Sequence, residues 1–452
     1  MKSISGTRIR SLLDSGAEKL GLGGDILAVV TGAGLILTIQ IIAAGLSYGS
    51  QVFLARQMGT YEFGIYVFAW SLVPPTAIAA AIGLSMAVVR FVPQYLTKDS
   101  WGHLSGLIRR CTAIVLVIGV VIGTIGWLVL MIVDEMIADY YLIPLRLALL
   151  CIPFLAMVAL LSGVSRGFGW AGLAYVPQLI LVPALILLGA VVFSVLVGSP
   201  TAIVILIIAV VACLITALTH AYRFRVTVPK QVKRSEPIFE TRLWLRVAIP
   251  LFISDGVFLI LWSTDTIMLG SLMSPDDVAI YHACVRTSCL TLLVFNAING
   301  FAAPKFAALV VDHDKSAIQK FARSIAVWMF WPTLLVVAAI IILGKFILGT
   351  FGDSFVIGYP IIVVMSIGYL IQSSTGPVDT YLAVSGHQDA SMIINGVGAL
   401  SNITLNIILI PRYGVMGAAI ASVITIVGAQ VAYYTLVRHH LGVHSFIVSR
   451  AR

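Results

Sequence analysis

Residues 173–197 read LAYVPQLILVPALILLGAVVFSVLV, and residues 201–221 read TAIVILIIAVVACLITALTHA. No Asp, Glu, Lys or Arg occurs anywhere from Leu173 to Ala221. A transmembrane helix needs about 20 predominantly apolar residues. Each of the two runs is therefore long enough to cross a lipid bilayer as a helix.

Similar apolar runs recur along the whole chain. The sequence is 60% hydrophobic and only 10% charged, with a mean hydropathy of +1.05, whereas soluble domains carry about 25% charged residues. These values predict an all-α polytopic membrane protein with about twelve transmembrane helices. The predicted spans lie near residues 29–55, 65–89, 111–133, 143–165, 173–197, 201–221, 247–272, 278–303, 324–349, 358–384, 391–411 and 414–437.

The basic residues fall mostly on one side of the predicted membrane. Twelve spans place both termini on the same side, and that side holds 23 of the 28 Lys and Arg residues. The opposite side holds Arg56, Arg146, Lys345 and Arg412, and Arg286 lies within a span. Cytoplasmic loops carry the excess of positive charge in membrane proteins. Both termini are therefore predicted to be cytoplasmic, and the net charge of +9 needs no nucleic-acid partner.

The chain also divides into two halves. A basic stretch near its middle separates six predicted spans from six, and at an offset of 215 Leu54 matches Leu269 and Tyr66 matches Tyr281. Repeats of six spans are related by an axis along the membrane normal, with a substrate site at their interface. The predicted segments are an N-terminal segment 1–28 with the pattern of an interfacial helix or of disorder, a first bundle 29–221, a cytoplasmic linker 222–246, a second bundle 247–437 and a cytoplasmic tail 438–452.

Four charged residues lie clearly within the predicted spans and away from their ends, all in the second half: Asp255, Asp265, Arg286 and Asp379. A charge in the bilayer costs about 2.5–3.5 kcal/mol on insertion scales, so each charge requires a reason. One interpretation is a static Asp–Arg pair that fixes helix packing. The other is a solvated cavity in which these residues bind a substrate or a proton.

Neutral polar residues accompany these charges at helical spacing. Gln372 precedes Thr375 and Asp379 on one helical face, and Asn402 lies one turn before Asn406. Amide side chains in membranes hydrogen-bond neighbouring helices, and they can also bind sugar hydroxyls. The sequence leaves this choice open.

Arg90 and Arg166 lie at the predicted cytoplasmic ends of spans two and four. Such residues set topology or extend their charged ends to the membrane surface. Alternatively, they form a cationic entrance for a diphosphate headgroup.

No motif for metal or nucleotide chemistry is present. Gly167, Gly169 and Gly172 spell GxGxxG, but they lie between two spans without the preceding strand that a dinucleotide site requires. No HExxH, P-loop or nucleophile elbow occurs. The sequence therefore predicts no cofactor, no metal and no enzymatic activity.

Three strings carry a family resemblance: NIILIPRYGVMGAAIAS at residues 406–422, LARQMGTYEFGIY at 54–66 and GLSMAVVRFVPQY at 83–95. Together they resemble the Wzx-type oligosaccharide flippases of the multidrug/oligosaccharidyl-lipid/polysaccharide (MOP) exporter superfamily. The resemblance implies two six-helix bundles in a V that opens alternately to the two sides. It also implies that Arg90 is the arginine of the family's GLxxAxxR motif. Asp265 then corresponds to an acid in the first span of the second half, and Arg286 to a central cationic residue.

The implied substrate is an oligosaccharide on a polyprenyl diphosphate, moved to the periplasmic leaflet of a bacterial inner membrane for exopolysaccharide, O-antigen (lipopolysaccharide) or capsule synthesis. Membrane lipids and a polymerase complex are the other implied partners, and the coupling ion, a proton or Na⁺, is left open. One alternative is a MATE-type drug or cation antiporter, which Arg286 disfavours. A lipid II flippase should carry several buried arginines in its first half, and a membrane glycan polymerase or ligase should carry a long periplasmic loop. The sequence shows neither feature.

Overall fold

The computed structural model describes residues 24–311 and 315–447, without the side chains of residues 24–33, 253–262, 301, 311 and 315. All regular elements in these ranges are helical, which confirms the predicted all-α fold. The predicted N-terminal segment lies outside the described residues up to position 23. The α-helices are α1 Gly24–Ser71, α2 Val73–Ala80, α3 Leu84–Thr97, α4 Trp101–Ile132, α5 Asp139–Gly167, α6 Ala171–Val176, α7 Val182–Leu196, α8 Ala202–Thr227, α9 Lys230–Arg234, α10 Thr241–Leu272, α11 Pro275–Ser288, α12 Thr291–Val311, α13 Lys315–Phe351, α14 Tyr359–Ser373, α15 Val378–Val384, α16 Gln388–Tyr413 and α17 Val415–Leu441.

Ten helical segments of the described chain are long and apolar enough to cross a membrane. One of them, Gly34–Ala80, joins two predicted spans across a bend at Gly59, where φ is 75° and ψ is 174°. Helix α10 contains residues 253–262, whose side chains lie outside the described part, and its 32 residues would extend about 48 Å at 1.5 Å per residue. The polytopic membrane architecture is therefore confirmed, whereas the number twelve remains a prediction.

Several predicted spans are not continuous α-helices. Span 65–89 is interrupted at residues 81–83, span 278–303 at 289–290 and span 358–384 at 374–377, and span 173–197 contains a π-helix at Pro177–Leu181. Hydropathy reports the polarity of a segment and not its backbone path. The interruptions arise from local chemistry, such as Gly376 with φ 72° followed by Pro377.

Each half is organised around one central helix. Helix α5 packs against α2, α3, α4 and α8 in the first half, and α17 packs against α14, α15 and α16 in the second. The two halves meet mainly where α11 lies along α1, and α10 also contacts α2 and α3. At this junction Tyr48 and Thr287 share a hydrogen bond of 3.0 Å, and Gly64 packs so closely on Pro275 that a Cβ would have no room.

The linker 222–246 is packed against the first half. Its middle docks on α4, where the Ile238 amide donates to Gly102 O at 3.0 Å. Trp244 is fully buried and donates from Nε1 to the Tyr95 hydroxyl at 3.0 Å, and that hydroxyl donates to Glu240 at 2.7 Å. Burial raises the pKa of Tyr95 to about 12, so the hydroxyl stays protonated as the donor. These contacts fix the start of the second half onto the first half.

The C-terminal tail is likewise packed and not free. After α17 ends at Leu441, the His444 backbone makes two hydrogen bonds with the Gln319 side chain, of 2.6 and 2.7 Å. The Ile447 amide then donates to Ser374 O at 3.2 Å. The tail therefore lies against the interruption between α14 and α15. Residues 448–452 of the predicted tail lie outside the described part of the chain.

The buried hydrophobic residues form two clusters. The larger cluster contains residues of both halves, from Leu54 to Ala419. The smaller cluster lies wholly in the second half and its tail, around the stacked rings of Phe306 and Tyr381, whose centroids are 3.8 Å apart. Among the described residues, the core around Phe306 is therefore built by the second half and its tail alone.

Candidate functional site

The Asp265 carboxylate lies at the junction of four helices of the second half. It accepts hydrogen bonds from Tyr281 Oη on α11 at 2.7 Å and from Asn406 Nδ2 on α16 at 2.6 Å. Ser422 Oγ on α17 is a third donor to the same carboxylate. Asn406 Nδ2 also donates to Asn402 Oδ1 at 3.1 Å. Two residues predicted from the sequence, Asp265 and Asn402, therefore belong to one polar network.

This network has the composition of an ion or proton site. The four partners of the carboxylate and of Asn406 are neutral, and all of them are buried. Asn406 Oδ1 is buried without a hydrogen-bond partner among the described atoms. Carboxylate and amide oxygens are hard ligands for small cations, and a carboxylate among neutral donors can also take up a proton. The arrangement can hold either ion next to Asp265.

Arg286 lies in the last turn of α11 and is exposed. Its Nε contacts His282 Nε2, one turn earlier, at 3.4 Å, and the His282 ring meets Phe63 of α1 edge-on at 6.1 Å. Arg286 also lies within electrostatic range of Tyr66 of α1. The side chain is therefore presented where the second half faces the first.

The predicted Asp–Arg pair is absent for two of the three acids. Within the described side chains, Arg286 makes no ion pair with Asp265 or with Asp379. Asp265 is satisfied by neutral donors, and Asp379 begins the short helix α15, where an acid interacts favourably with the helix dipole. Asp255 lies in α10 with its side chain outside the described part, so its role stays a prediction.

The predicted stripe of Gln372, Thr375 and Asp379 does not form one helical face. The chain leaves the helix at residues 374–377, so Gln372 and Asp379 belong to different helices. The break is bound by Gln430 of α17, whose buried Nε2 lies 3.0 Å from Gln372 O, 2.5 Å from Thr375 Oγ1 and 3.3 Å from Gly376 O. Gln430 thus satisfies backbone oxygens that the break releases within the membrane.

Replacing Gln430 with Leu should therefore destabilise the protein. The substitution removes the Gln430 donors and leaves Gln372 O with Thr375 Oγ1 and Gly376 O with the Val378 amide as remaining donors. Each lost hydrogen bond contributes about 0.5–1.5 kcal/mol to stability. We expect a lower melting temperature in detergent than for Gln94→Leu, which makes the same change at an exposed position of α3. Equal melting temperatures for the two variants would show that Gln430 does not support the break.

A second polar region is a cavity of about 260 Å³ beside Arg166. Arg166 Nε and the Ser162 hydroxyl, one turn earlier on α5, are buried without hydrogen-bond partners among the described residues. Arg90 is exposed and lies one turn beyond Met86 of the cavity wall. The structure therefore places Arg166 in the cavity and Arg90 outside it. The lining residues are Ile78, Gly83, Ser85, Met86, Ala159, Ser162, Arg166, Ala174, Tyr175, Gln178, Leu179 and Phe252.

Several of these residues were not singled out by the sequence. Tyr281 and Ser422 were not predicted as site residues, because single hydroxyl residues are common in membrane spans. Ser422 does end the string NIILIPRYGVMGAAIAS that Asn406 begins, so the motif contains two of the three donors to Asp265. Ser162 could have been found from its position four residues before Arg166, which places both on one helical face.

Comparison with known proteins agrees with this architecture. The model of the family described as "Polysaccharide biosynthesis protein" matches residues 29–310. The chain belongs to this polysaccharide biosynthesis protein family. The sequence resemblance to Wzx-type flippases of the MOP superfamily is thereby confirmed at the level of family and, as the next comparisons show, of fold.

Two Haloferax volcanii proteins are similar in sequence to this member of the family. "Probable low-salt glycan biosynthesis flippase Agl15" is 22% identical over 85% of this chain and 78% of its own length. "Probable flippase AglR" is 28% identical over 36% of this chain, and the matched region spans only 34% of AglR.

Two solved structures share the fold of this polysaccharide biosynthesis protein. An inward-facing multidrug resistance MATE family transporter of the MOP superfamily has a TM-score of 0.74 at 14% identity, over 90% of this chain and 98% of its own. The lipid II flippase MurJ, in an inward closed conformation, has a TM-score of 0.70 at 16% identity, over 89% and 87% of the two chains. At these identities the likeness establishes the fold alone.

Proposed function

We propose that this protein flips polyprenyl-diphosphate-linked oligosaccharides from the cytoplasmic to the outer leaflet of a bacterial inner membrane, for the synthesis of a surface polysaccharide. Alternating access between the two halves performs the transfer, and both termini remain in the cytoplasm. The observation that carries the proposal is Arg286, an exposed cation facing the first half without an acidic partner among the described side chains.

An unneutralised cation between the halves favours an anionic substrate. Charged residues of membrane spans face the bundle interior or a water-filled cavity and mark substrate and ion pathways. The diphosphate of a polyprenyl-linked sugar supplies that counter-charge, and the planar guanidinium can bind it through two parallel hydrogen bonds. The name of Agl15, a probable low-salt glycan biosynthesis flippase, agrees with a substrate that carries a glycan.

A passage between two helical bundles can carry a polar headgroup across the hydrocarbon of the bilayer. A diphosphate and its sugars cannot enter hydrocarbon without losing their hydration, whereas the polyprenyl tail is already soluble in it. A path between the halves shields the polar head while the tail stays in the lipid. Amides and hydroxyls along the path can replace water around the sugars.

The Asp265 network is the proposed coupling site. Its carboxylate has three neutral donors and no cation among the described contacts. Binding of a proton or of Na⁺ would change the charge of a junction between α10, α11, α16 and α17. That change can shift the balance between two packings of these helices.

The rival functions fit the same residues less well. A drug or cation antiporter would use its acids to bind cations, and Arg286 would repel them. A glycan polymerase or ligase needs a substantial periplasmic loop, but the described connections on the predicted outer side, such as residues 133–138 and 197–201, are short. We infer a transporter and not an enzyme, working beside a separate polymerase complex.

Deleting the gene tests the proposal in cells. We expect loss of one surface polysaccharide and accumulation of its lipid-linked repeat on the cytoplasmic leaflet, because the repeat is made there and cannot cross unaided. The chain supplied on a plasmid should restore both. Normal polymer together with new sensitivity to cationic drugs would instead support the antiporter.

A further inference from the structure

The cavity beside Arg166 lies between the two halves and is built mainly by the first. Ser162 and Arg166 of α5 form one wall, and the interruption between α2 and α3 forms another. Phe252 of α10 closes the cavity from the second half. Tight backbone contacts hold these walls together, because Gly83 packs against Ala248 O with no room for a Cβ.

Two hydrogen-bond donors of the cavity, one on Ser162 and one on Arg166, have no partners among the described residues. The Ser162 side chain is only 4% exposed, yet its hydroxyl has no hydrogen-bond partner among the described residues. The Arg166 Nε–H is also unpartnered, and its Nη2 lies 4.0 Å from Met86 Sδ. Buried donors are nearly always satisfied in native proteins, and this pair offers two unoccupied donors to a ligand or water in the cavity.

The surrounding backbone is also unusual for an apolar membrane helix. Ile82, a β-branched residue, has a φ of 44° at the α2–α3 interruption. Residues held in this region are strained, and such strain concentrates at functional sites. On the opposite wall Gln178 lies in the π-helix Pro177–Leu181, and π-helical turns also occur frequently at functional sites.

We propose that this cavity is a phosphate subsite, in which Arg166 and Ser162 bind one phosphate of the substrate's diphosphate on the first half. The inference rests on the proposed function for the identity of the ligand. Ser85, Tyr175 and Gln178 supply further polar groups at the walls.

Charge and size both favour a phosphate. The lining contains one cation and no acid, and an arginine fork beside a hydroxyl donor suits a tetrahedral anion. Pockets for drug-sized ligands measure about 300–1,000 Å³. A cavity of about 260 Å³ therefore takes a phosphate and the adjoining part of a sugar, and not a whole oligosaccharide.

Because Phe252 belongs to the second half, occupancy of the subsite depends on how the halves are arranged. A movement of α10 away from the α2–α3 interruption would open this wall. The subsite would therefore hold the headgroup in one state of the transport cycle and release it in the other.

Binding to the purified full-length protein tests this assignment. The probes are inorganic pyrophosphate and, in nanodiscs, polyprenyl diphosphate without sugars, measured by calorimetry. Ser162→Ala should weaken the binding of both by about tenfold, the value of one hydrogen bond to a charged group, and Arg166→Gln should weaken it further. Arg225→Gln removes the same charge from an exposed position of α8 and should bind as the wild type does.

The melting temperature of Ser162→Ala separates binding from packing. Removing an unpartnered buried hydroxyl should not destabilise the protein, so the variant should bind less well and melt no earlier. Unchanged affinity for both probes would overturn the subsite, and so would an effect on pyrophosphate alone, which would mark a site for a free anion. The variants could bind both probes less tightly while the wild-type protein flips no lipid-linked sugar. That combination would overturn the proposed function and leave the subsite standing.

Discussion

Arg286→Ala is expected to abolish flipping while the protein remains folded. Arg286 is exposed in this structure, and in our proposal the bound diphosphate covers it. Removing one partner of a buried, hydrogen-bonded charge pair costs about 2–5 kcal/mol. The transport rate per folded molecule should therefore fall on the order of a hundredfold. The melting temperature should change little, because Arg286 has no acidic partner among the described residues whose charge would be left uncompensated.

Arg286→Lys should restore only part of the activity, because an ammonium is a point charge without the planar fork. The matched control is Arg412→Ala. Arg412 is also exposed and also lies in the last turn of its helix, α16. Both changes remove a favourable interaction with the helix dipole, so only a difference in transport reports on the substrate.

The outcome that would contradict this role is recovery of transport in a charge-neutral double variant. If Arg286 only neutralises Asp255, then Arg286→Ala with Asp255→Asn should regain both melting temperature and transport. If Arg286 binds the diphosphate, the double variant should fold and still not flip. The rate per folded molecule in the single and double variants therefore separates the two roles.

Asp265→Asn should remove the dependence of transport on an ion gradient. Asn keeps the shape and one acceptor oxygen for Tyr281 and Ser422 but cannot hold a charge or a titratable proton. We expect a stability loss of about 1–3 kcal/mol, from one hydrogen bond that can no longer be made. Transport in proteoliposomes should no longer respond to an imposed proton or Na⁺ gradient, whichever one drives the wild type.

Asp353→Asn is the control for this second prediction. Asp353 is an exposed acid between α13 and α14, so the substitution makes the same chemical change outside the network. Gradient-dependent transport by Asp265→Asn at the wild-type rate would reduce Asp265 to a residue that fixes helix packing. A gradient-insensitive wild type would exclude ion coupling altogether.

Composition was sufficient to predict the fold class. Long apolar runs leave a helix as the way to satisfy the backbone in lipid, so runs such as 201–221 identify their helices directly. The interruptions at residues 81–83 and 374–377 were not predicted, because hydropathy averages over residues that leave the helix. Gly83 permits the close approach of Ala248, a fact of tertiary packing that no local pattern contains.

The candidate site was predicted in part. Asp265 and Asn402 stand out because charged and amide residues are rare in spans. Their donors Tyr281 and Ser422 do not, since a tyrosine or serine on an apolar helix is ordinary. The sequence also could not assign Arg286 a partner, because pairing depends on which helices meet. In the structure Asp265, the nearest in sequence of the three acids predicted within spans, accepts hydrogen bonds from neutral donors instead.

The central claim is that this chain moves a lipid-linked diphosphate oligosaccharide across a bilayer. The most direct measurement uses purified protein in liposomes that contain this lipid in both leaflets, with a membrane-impermeant glycosidase added outside. With the wild-type protein, the inner-leaflet sugars should become accessible to the glycosidase, and with Arg286→Ala they should stay protected. Inner-leaflet sugars that stay protected with folded wild-type protein, or that become equally accessible with both proteins, would contradict the claim.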